Sequence, residues 1–394
     1  MSITRRQLLY SGGAIGVAGA VGAVGVEINA FRRKYSTSRL LHTPRSSQLT
    51  FSDLRNKCRT SGLVPDEARR MIIEGNVVHV SRLSDLSAGF TNLSRHIRGR
   101  KEKIDLGRAD YLVFTCSDSR VICSVPEFYS KVGIEFRLAG NVMPRPENPS
   151  DFAQVISAFR KINVGGSAVV LGHCNCGAVA AHNSHVSDAE LADLLALVSG
   201  TTPEENATVQ TNRLREMFER QALPFTPHNL MVGMGIHDWT RSRFQEFEGF
   251  NSILISDLLH LWEIRQRREF VSDPGLATFL ARPQKPHTVG VCTYNLPYGI
   301  ATVCDTKQGE IFTVTGGKEG LGVLEIESLL YAFDHLGTKH LAFFAPGSRA
   351  DQLELVRMFE NWSHEQHIRR ILLTAEVKLS MFRYDLDDGK LYAI

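Results

Sequence analysis

Apolar residues fall along this chain in two forms, short unbroken runs and longer stretches with helical spacing. Asp110-Tyr111-Leu112-Val113-Phe114-Thr115 is a short run, and Ala168-Val169-Val170-Leu171-Gly172 is another. Runs without polar alternation suit strands buried on both faces of a parallel sheet. From Phe51 to Lys103 the spacing is helical instead, with Leu83, Leu86, Phe90 and Leu93 on one face. Helical spacing returns from Phe152 to Ile162 and over 184–222, and Leu230–Met234 is a further strand candidate. Strands alternating with helices predict an α/β fold, a parallel-sheet core with flanking helices.

The same pattern comes round again. Val113-Phe114-Thr115-Cys116 recurs as Val289-Gly290-Val291-Cys292, and Gly133-Ile134-Glu135-Phe136 with Gly140 recurs as Gly309-Glu310-Ile311-Phe312 with Gly316. Both matches share one spacing, which chance rarely gives. Ala158-Phe159 followed by Val169–Gly172 likewise parallels Ala332-Phe333 followed by Ala342–Ala345. The expectation is two fused copies of one unit, 53–265 and 266–394, forming a pseudo-dimer within one chain.

Ahead of them, 1–30 reads as an address. Arg5-Arg6-Gln7-Leu8-Leu9, a Ser11-Gly12-Gly13 hinge and a Gly/Ala/Val stretch to Val26 have the layout of a twin-arginine-type export signal. Residues 31–52 are basic and Ser/Thr-rich, which fits a linker. The expected location is therefore periplasmic. An uncleaved membrane anchor and an organellar transit peptide stay open, since Glu27 is the one acid before residue 53.

Composition narrows the function classes. Length, 394 residues, favours two domains, and 43% hydrophobic with 22% charged residues is ordinary for a globular protein. A net charge of +3, with much of the excess near the start, gives no basic surface for nucleic acid. Seven cysteines in so long a chain do not describe a disulfide framework.

Two clusters carry chemistry. Cys116-Ser117-Asp118-Ser119-Arg120 follows the first buried run and His173-Cys174-Asn175-Cys176-Gly177 follows the second. In open parallel sheets, sites form in the crevice beyond the strand ends. Two thiols and an imidazole converging there are three good zinc ligands with a fourth position open, the catalytic pattern. If the chain stays extended, Cys116, Asp118 and Arg120 share a face. Asp118 can then accept a hydrogen bond beside the metal, held by a bidentate bond from Arg120, or swing in as a fourth ligand and close the site. Each cluster alone is weak, because free cysteine is most often a small buried hydrophobe. Cys174 should point away from the ligands. Cys58, Cys123 and Cys304 read as packing, and His182 and His185 as solvated positions.

Cys116–Val121, Arg137-Leu138-Ala139-Gly140-Asn141 and Gly172-His173 with Cys176-Gly177-Ala178-Val179 together resemble the three signature blocks of the β-class carbonic anhydrases, in the family's order, over about residues 65–250. The resemblance implies one zinc, held by Cys116, His173 and Cys176, and an Asp118–Arg120 catalytic dyad. It implies reversible hydration of carbon dioxide to bicarbonate and a proton by zinc-bound hydroxide. Leu138 departs from the polar Asn often found there, and the Pro-Pro pair expected after Val121 is missing. In the second copy the same registers hold Cys292, Tyr294, Leu296, Pro346 and Arg349, so that half is expected to bind no metal. The alternatives are hydrolysis of carbonyl sulfide or carbon disulfide, a silent zinc-binding scaffold, and a redox thiol pair. The expected partner is a small-molecule substrate, with no nucleic acid and no membrane beyond an uncleaved signal. A homodimer of pseudo-dimers is left open.

Overall fold

The computed structural model describes residues 72–81, 109–121, 133–144, 162–184, 188–221, 228–232, 284–306, 308–317, 320–373 and 377–394. The export signal, the linker, the domain boundary at 265, the Leu83–Leu93 helical face and all of the Phe152–Ile162 stretch but Ile162 lie outside them.

The two predicted buried runs fall in β1 (Ala109–Cys116) and β3 (Ile162–His173) and the strand candidate overlaps β4 (His228–Val232); with β2 (Gly133–Leu138) they form a parallel sheet in the order β2-β1-β3-β4. Ile162 opens β3 rather than ending a helix. The described part of 184–222 carries helices as expected, α3 (Ala192–Leu197) and α4 (Pro203–Arg220), with α2 (Gly177–Asn183) just before it. Thr202 caps α4 by accepting from Glu205 N, and Pro203 follows at the first helical position, where its missing N–H costs nothing. Leu214, Met217 and Phe218 of α4 pack on Leu112, Phe114, Ala168 and Val170 of the sheet. Each such side chain contributes about 1.5–3 kcal/mol on leaving water.

A second sheet follows, β5 (Thr288–Thr293), β6 (Ile311–Gly316), β7 (His340–Pro346), β8 (Lys378–Tyr384) and β9 (Leu391–Ala393), ordered β6-β5-β7-β8-β9. Its first four strands repeat the order of the first sheet, all parallel, with β9 added antiparallel. Helices α5 (Gly299–Val303), α6 (Val323–Leu330), α7 (Gln352–His364) and α8 (Gln366–Leu373) complete this half.

Strand pairing fixes which residues correspond, and corrects the sequence alignment. Phe114 faces Phe136 and Val170 in the first sheet, as Val291 faces Val314 and Phe343 in the second. Phe114 packs on α4, and Val291 shares a core with Leu355, Met358 and Phe359 of α7. Val291 is therefore the counterpart of Phe114, and Thr293 that of Cys116. The sequence match placed Cys292 there, one residue out, and a one-residue slip moves a strand's side chains to the other face. Cys292 points instead at Ile300, Val303 and Phe344. In the corrected register Asp118 and Arg120 fall opposite Asn295 and Pro297, not Tyr294 and Leu296, while Pro346 and Arg349 stay opposite His173 and Cys176.

The halves meet through β2 and β6, where Thr315 Oγ1 donates to Glu135 O (3.0 Å) and accepts from Arg137 N (3.0 Å). Helix α1 (72–81) docks on the second half. Asn76 Nδ2 donates to Val303 O (3.2 Å) and Gly389 O (3.0 Å), and Asn76 Oδ1 accepts from Leu391 N (2.8 Å). Among the described residues no helix is long and apolar enough to cross a membrane.

Candidate metal centre

The chain leaves β1 for β2 on one side and returns to β3 on the other. Connections departing in opposite directions open a crevice at the carboxyl ends of β1 and β3. Cys116 is the last residue of β1 and His173 the last of β3, so both stand at its rim. A left-handed turn at Asn175 (φ 56°) then brings Cys176 back to cap α2.

The structure brings the three sequence-selected ligands together. One donor atom from each of Cys116, His173 and Cys176 lies within 4.8 Å of the others, all three buried. The two thiols are free, their sulfurs 4.0 Å apart. His173 Nδ1 is 2.9 Å from Cys174 O, and a carbonyl only accepts, so the proton sits on Nδ1. That leaves Nε2 as a bare lone pair, buried and without a hydrogen-bond partner. An orphaned imidazole nitrogen beside two sulfurs, its other nitrogen tied to a carbonyl, is the arrangement zinc ligation requires.

Electrostatics support the fit. Burial, the Cys176 hydrogen bond and the Cys176 charge push the Cys116 thiol up, while the Cys116 hydrogen bond pulls Cys176 down. Two adjacent buried thiols cannot both ionise without a cation between them. Donors are ready for both charges: Gly140 N lies 3.2 Å from Cys116 Sγ, and the N–H groups of Val179 and Ala178 lower Cys176. Gly140 reaches this position at φ 74°, open to glycine at little cost.

Asp118 and Arg120 are paired, although not by an extended strand. A turn closes from Asp118 O to Val121 N (3.0 Å), and Arg120 N donates to Asp118 Oδ1 (2.9 Å). Arg120 Nε then reaches Oδ1 at 2.9 Å and Nη2 reaches Oδ2 at 2.6 Å, a bidentate bond. Nη2 also contacts Asn175 O at 3.3 Å, tying the two clusters together. Burial alone would raise the Asp118 carboxyl, yet the guanidinium overrides it and holds the group at about 2. With both oxygens turned onto Arg120, Asp118 stands outside the three-ligand group.

Of the residues set aside, Cys174 is partly exposed, and Cys292 and Cys304 are buried packing residues, Cys292 pushed up to about 12 by burial. His182 is partly buried, with Nδ1 3.1 Å from Leu195 O. Cys58, Cys123 and His185 lie outside the described residues.

Sequence reasoning missed what the second half brings. A methyl group at Gly177 would sit 2.6 Å from the Tyr331 hydroxyl, so that hydroxyl lies over the backbone beside Cys176. Burial, then the charges of Asp118, Cys176 and Cys116, push the Tyr331 phenol up and keep it neutral. Gln284, Gly309 and Thr313 bond the Ser117–Ser119 loop. Nothing local to these positions marks them, because their partners are far away in sequence.

Residues 111–229 match the sequence profile of the family described as carbonic anhydrase. No curated protein sequence matches significantly. Among solved structures, the β-carbonic anhydrase CcaA is 12% identical, covering 36% of this chain and 94% of its own at a TM-score of 0.31. Tetrameric β-carbonic anhydrases from the ascomycete Sordaria macrospora match at 12% identity, 36% and 98% coverage and 0.31. The β-carbonic anhydrase CafA of Aspergillus fumigatus matches at 16% identity, 48% and 97% coverage and 0.26.

Proposed function

We propose, from the premise that residues 111–229 are a carbonic anhydrase-family segment, that this protein catalyses zinc-dependent reversible hydration of carbon dioxide to bicarbonate and a proton. The observation that carries the reading is the unpartnered Nε2 of His173 grouped with the sulfurs of Cys116 and Cys176, with an ionised carboxylate beside them. Those three residues would hold the zinc. A zinc ion with three protein ligands acidifies the water in its open position and so supplies a nucleophile at neutral pH.

The chain's own residues then do the orienting. Arg120 keeps Asp118 an anion with both oxygens fixed; Oδ1 already accepts from Arg120 N and Nε, while Oδ2, with a single donor, retains a lone pair. Asp118 accepts a hydrogen bond from the attacking water and so aims its free lone pair at the carbon of a linear substrate. Tyr331 covers the floor beside Cys176 with a neutral hydroxyl, and burial of the site strengthens each of these interactions.

The second half is read as a degenerate copy forming an intrachain pseudo-dimer. Support comes from its matching strand order, from Thr293, Asn295, Pro297, Pro346 and Arg349 where the first half has ligands and dyad, and from Tyr331 reaching the site. The export reading rests on the sequence of 1–30, and the mass of the mature protein tests it.

Stopped-flow carbon dioxide hydration on protein of measured zinc content tests the function. One zinc per chain, with hydration lost in Cys176→Ala and Asp118→Asn, is expected. About two zincs per chain would remove the degenerate-copy reading. Zinc without hydration, but with turnover of carbonyl sulfide or carbon disulfide, would replace the substrate.

A further inference from the structure

The turn that carries the dyad is held from outside its own half. Ser119 sits between Asp118 and Arg120, and both of its donors go to one atom of a distant residue. Ser119 N and Ser119 Oγ donate to Gln284 Oε1 at 3.0 Å and 3.1 Å. Gln284 is buried, just ahead of β5 in the second half. Neighbouring main-chain groups add to the grip: Gly309 N donates to Ser119 O (2.8 Å) and Thr313 N to Ser117 O (3.3 Å). We propose that Gln284 is a positioning residue for the Asp118–Arg120 pair, fixing through Ser119 the turn on which both side chains stand.

The physical argument is one of peptide rotation. Arg120 N bonds Asp118 Oδ1, so the peptide planes on either side of Ser119 decide whether carboxylate and guanidinium meet face to face. Without an acceptor at Gln284, the Ser119 N–H is a buried donor that gains by turning toward another partner. That turning swings Asp118 off Arg120. Displacement of a reacting group by about 1 Å can lower a rate as much as about a hundredfold.

The inference rests on the proposed hydratase reading, and the test separates the two. Gln284→Met keeps length and apolar bulk but removes the acceptor, whereas Gln284→Glu keeps an oxygen that accepts both bonds. Each variant is prepared as full chain with zinc and with cobalt(II). The expected result for Gln284→Met is a kcat about tenfold down, as for the Ser119 N–H left unsatisfied while the hydroxyl rotates to another partner, with KM within about twofold. Its cobalt visible spectrum should shift as the freed Asp118 reaches the metal. Gln284→Glu should restore the wild-type spectrum. Wild-type kcat and spectrum in Gln284→Met would overturn the proposal even if the melting temperature fell, and so would equal spectra in the two variants. A spectral shift in a protein that hydrates no carbon dioxide would uphold the positioning role and refute the hydratase. If Gln284→Met does not fold, Ser119→Ala, which removes the hydroxyl donor alone, must show the same changes at smaller amplitude.

Discussion

Replacing Arg120 with methionine tests the centre of the argument, that a fully buried carboxylate is kept ionised by one guanidinium. Asp118 is 0% and Arg120 5% exposed. The pair holds the carboxyl at about 2 against an ordinary 3.8, and at about 1.36 kcal/mol per pKa unit this is a stabilisation of roughly 2 kcal/mol. The sign follows from the direction of that shift. The folded value lies below the unfolded one, so the stabilisation is complete above about 3.8 and is lost as pH falls toward about 2. Methionine removes the three donors of Arg120 to Asp118 and Asn175 and leaves the charge unpaired in the interior. Such a loss costs about 3–5 kcal/mol. Urea unfolding at pH 7 reads it directly, and Asp118→Asn/Arg120→Met should recover at least about 1 kcal/mol of the loss, because no charge remains to be orphaned. A loss under about 1 kcal/mol in the single variant, or no recovery in the double one, would refute the buried ion pair. Asp118→Asn should also flatten the acid limb of the wild-type stability curve.

Three further outcomes follow from packing. Gly177→Ala places a methyl group 2.6 Å from the Tyr331 hydroxyl, so it should cost about 1–3 kcal/mol and alter KM; Tyr331→Phe should relieve part of the loss, and unfolding of the double variant checks it. Asn76→Ala strips three hydrogen bonds that dock α1 on the second half; a loss of about 1–3 kcal/mol is expected, with faster amide exchange over 72–81. Cys292→Val should leave zinc content by elemental analysis at one per chain, since that thiol points away from the counterpart of the metal centre and burial holds its pKa at about 12.

The α/β class, the strand runs at 110–115 and 168–172 and the helices of 184–222 follow from apolar spacing alone. The ligand set Cys116, His173, Cys176 was equally legible, because each residue ends a buried strand or starts the helix after it, and chemistry-bearing residues at parallel strand ends converge. Asp118 and Arg120 are paired, as the sequence suggested, but for a different reason. Extended geometry put them on one face, whereas an Asp118–Val121 turn brings them together.

What sequence alone determined, then, is local: which stretches are strands, and which reactive side chains stand at their ends. Tertiary structure decided the rest. Register in the second half could not be read from matching letters, since Val289–Cys292 looks like Val113–Cys116 while its side chains alternate one step out of phase, and pairing and burial alone reveal the phase. The roles of Gln284, Thr313 and Tyr331 depend on contacts spanning more than 150 residues, and no local pattern encodes which distant surface will be pressed against a loop. The three candidate ligands lie in one half, but the turn that carries Asp118 and Arg120 is held by both halves together.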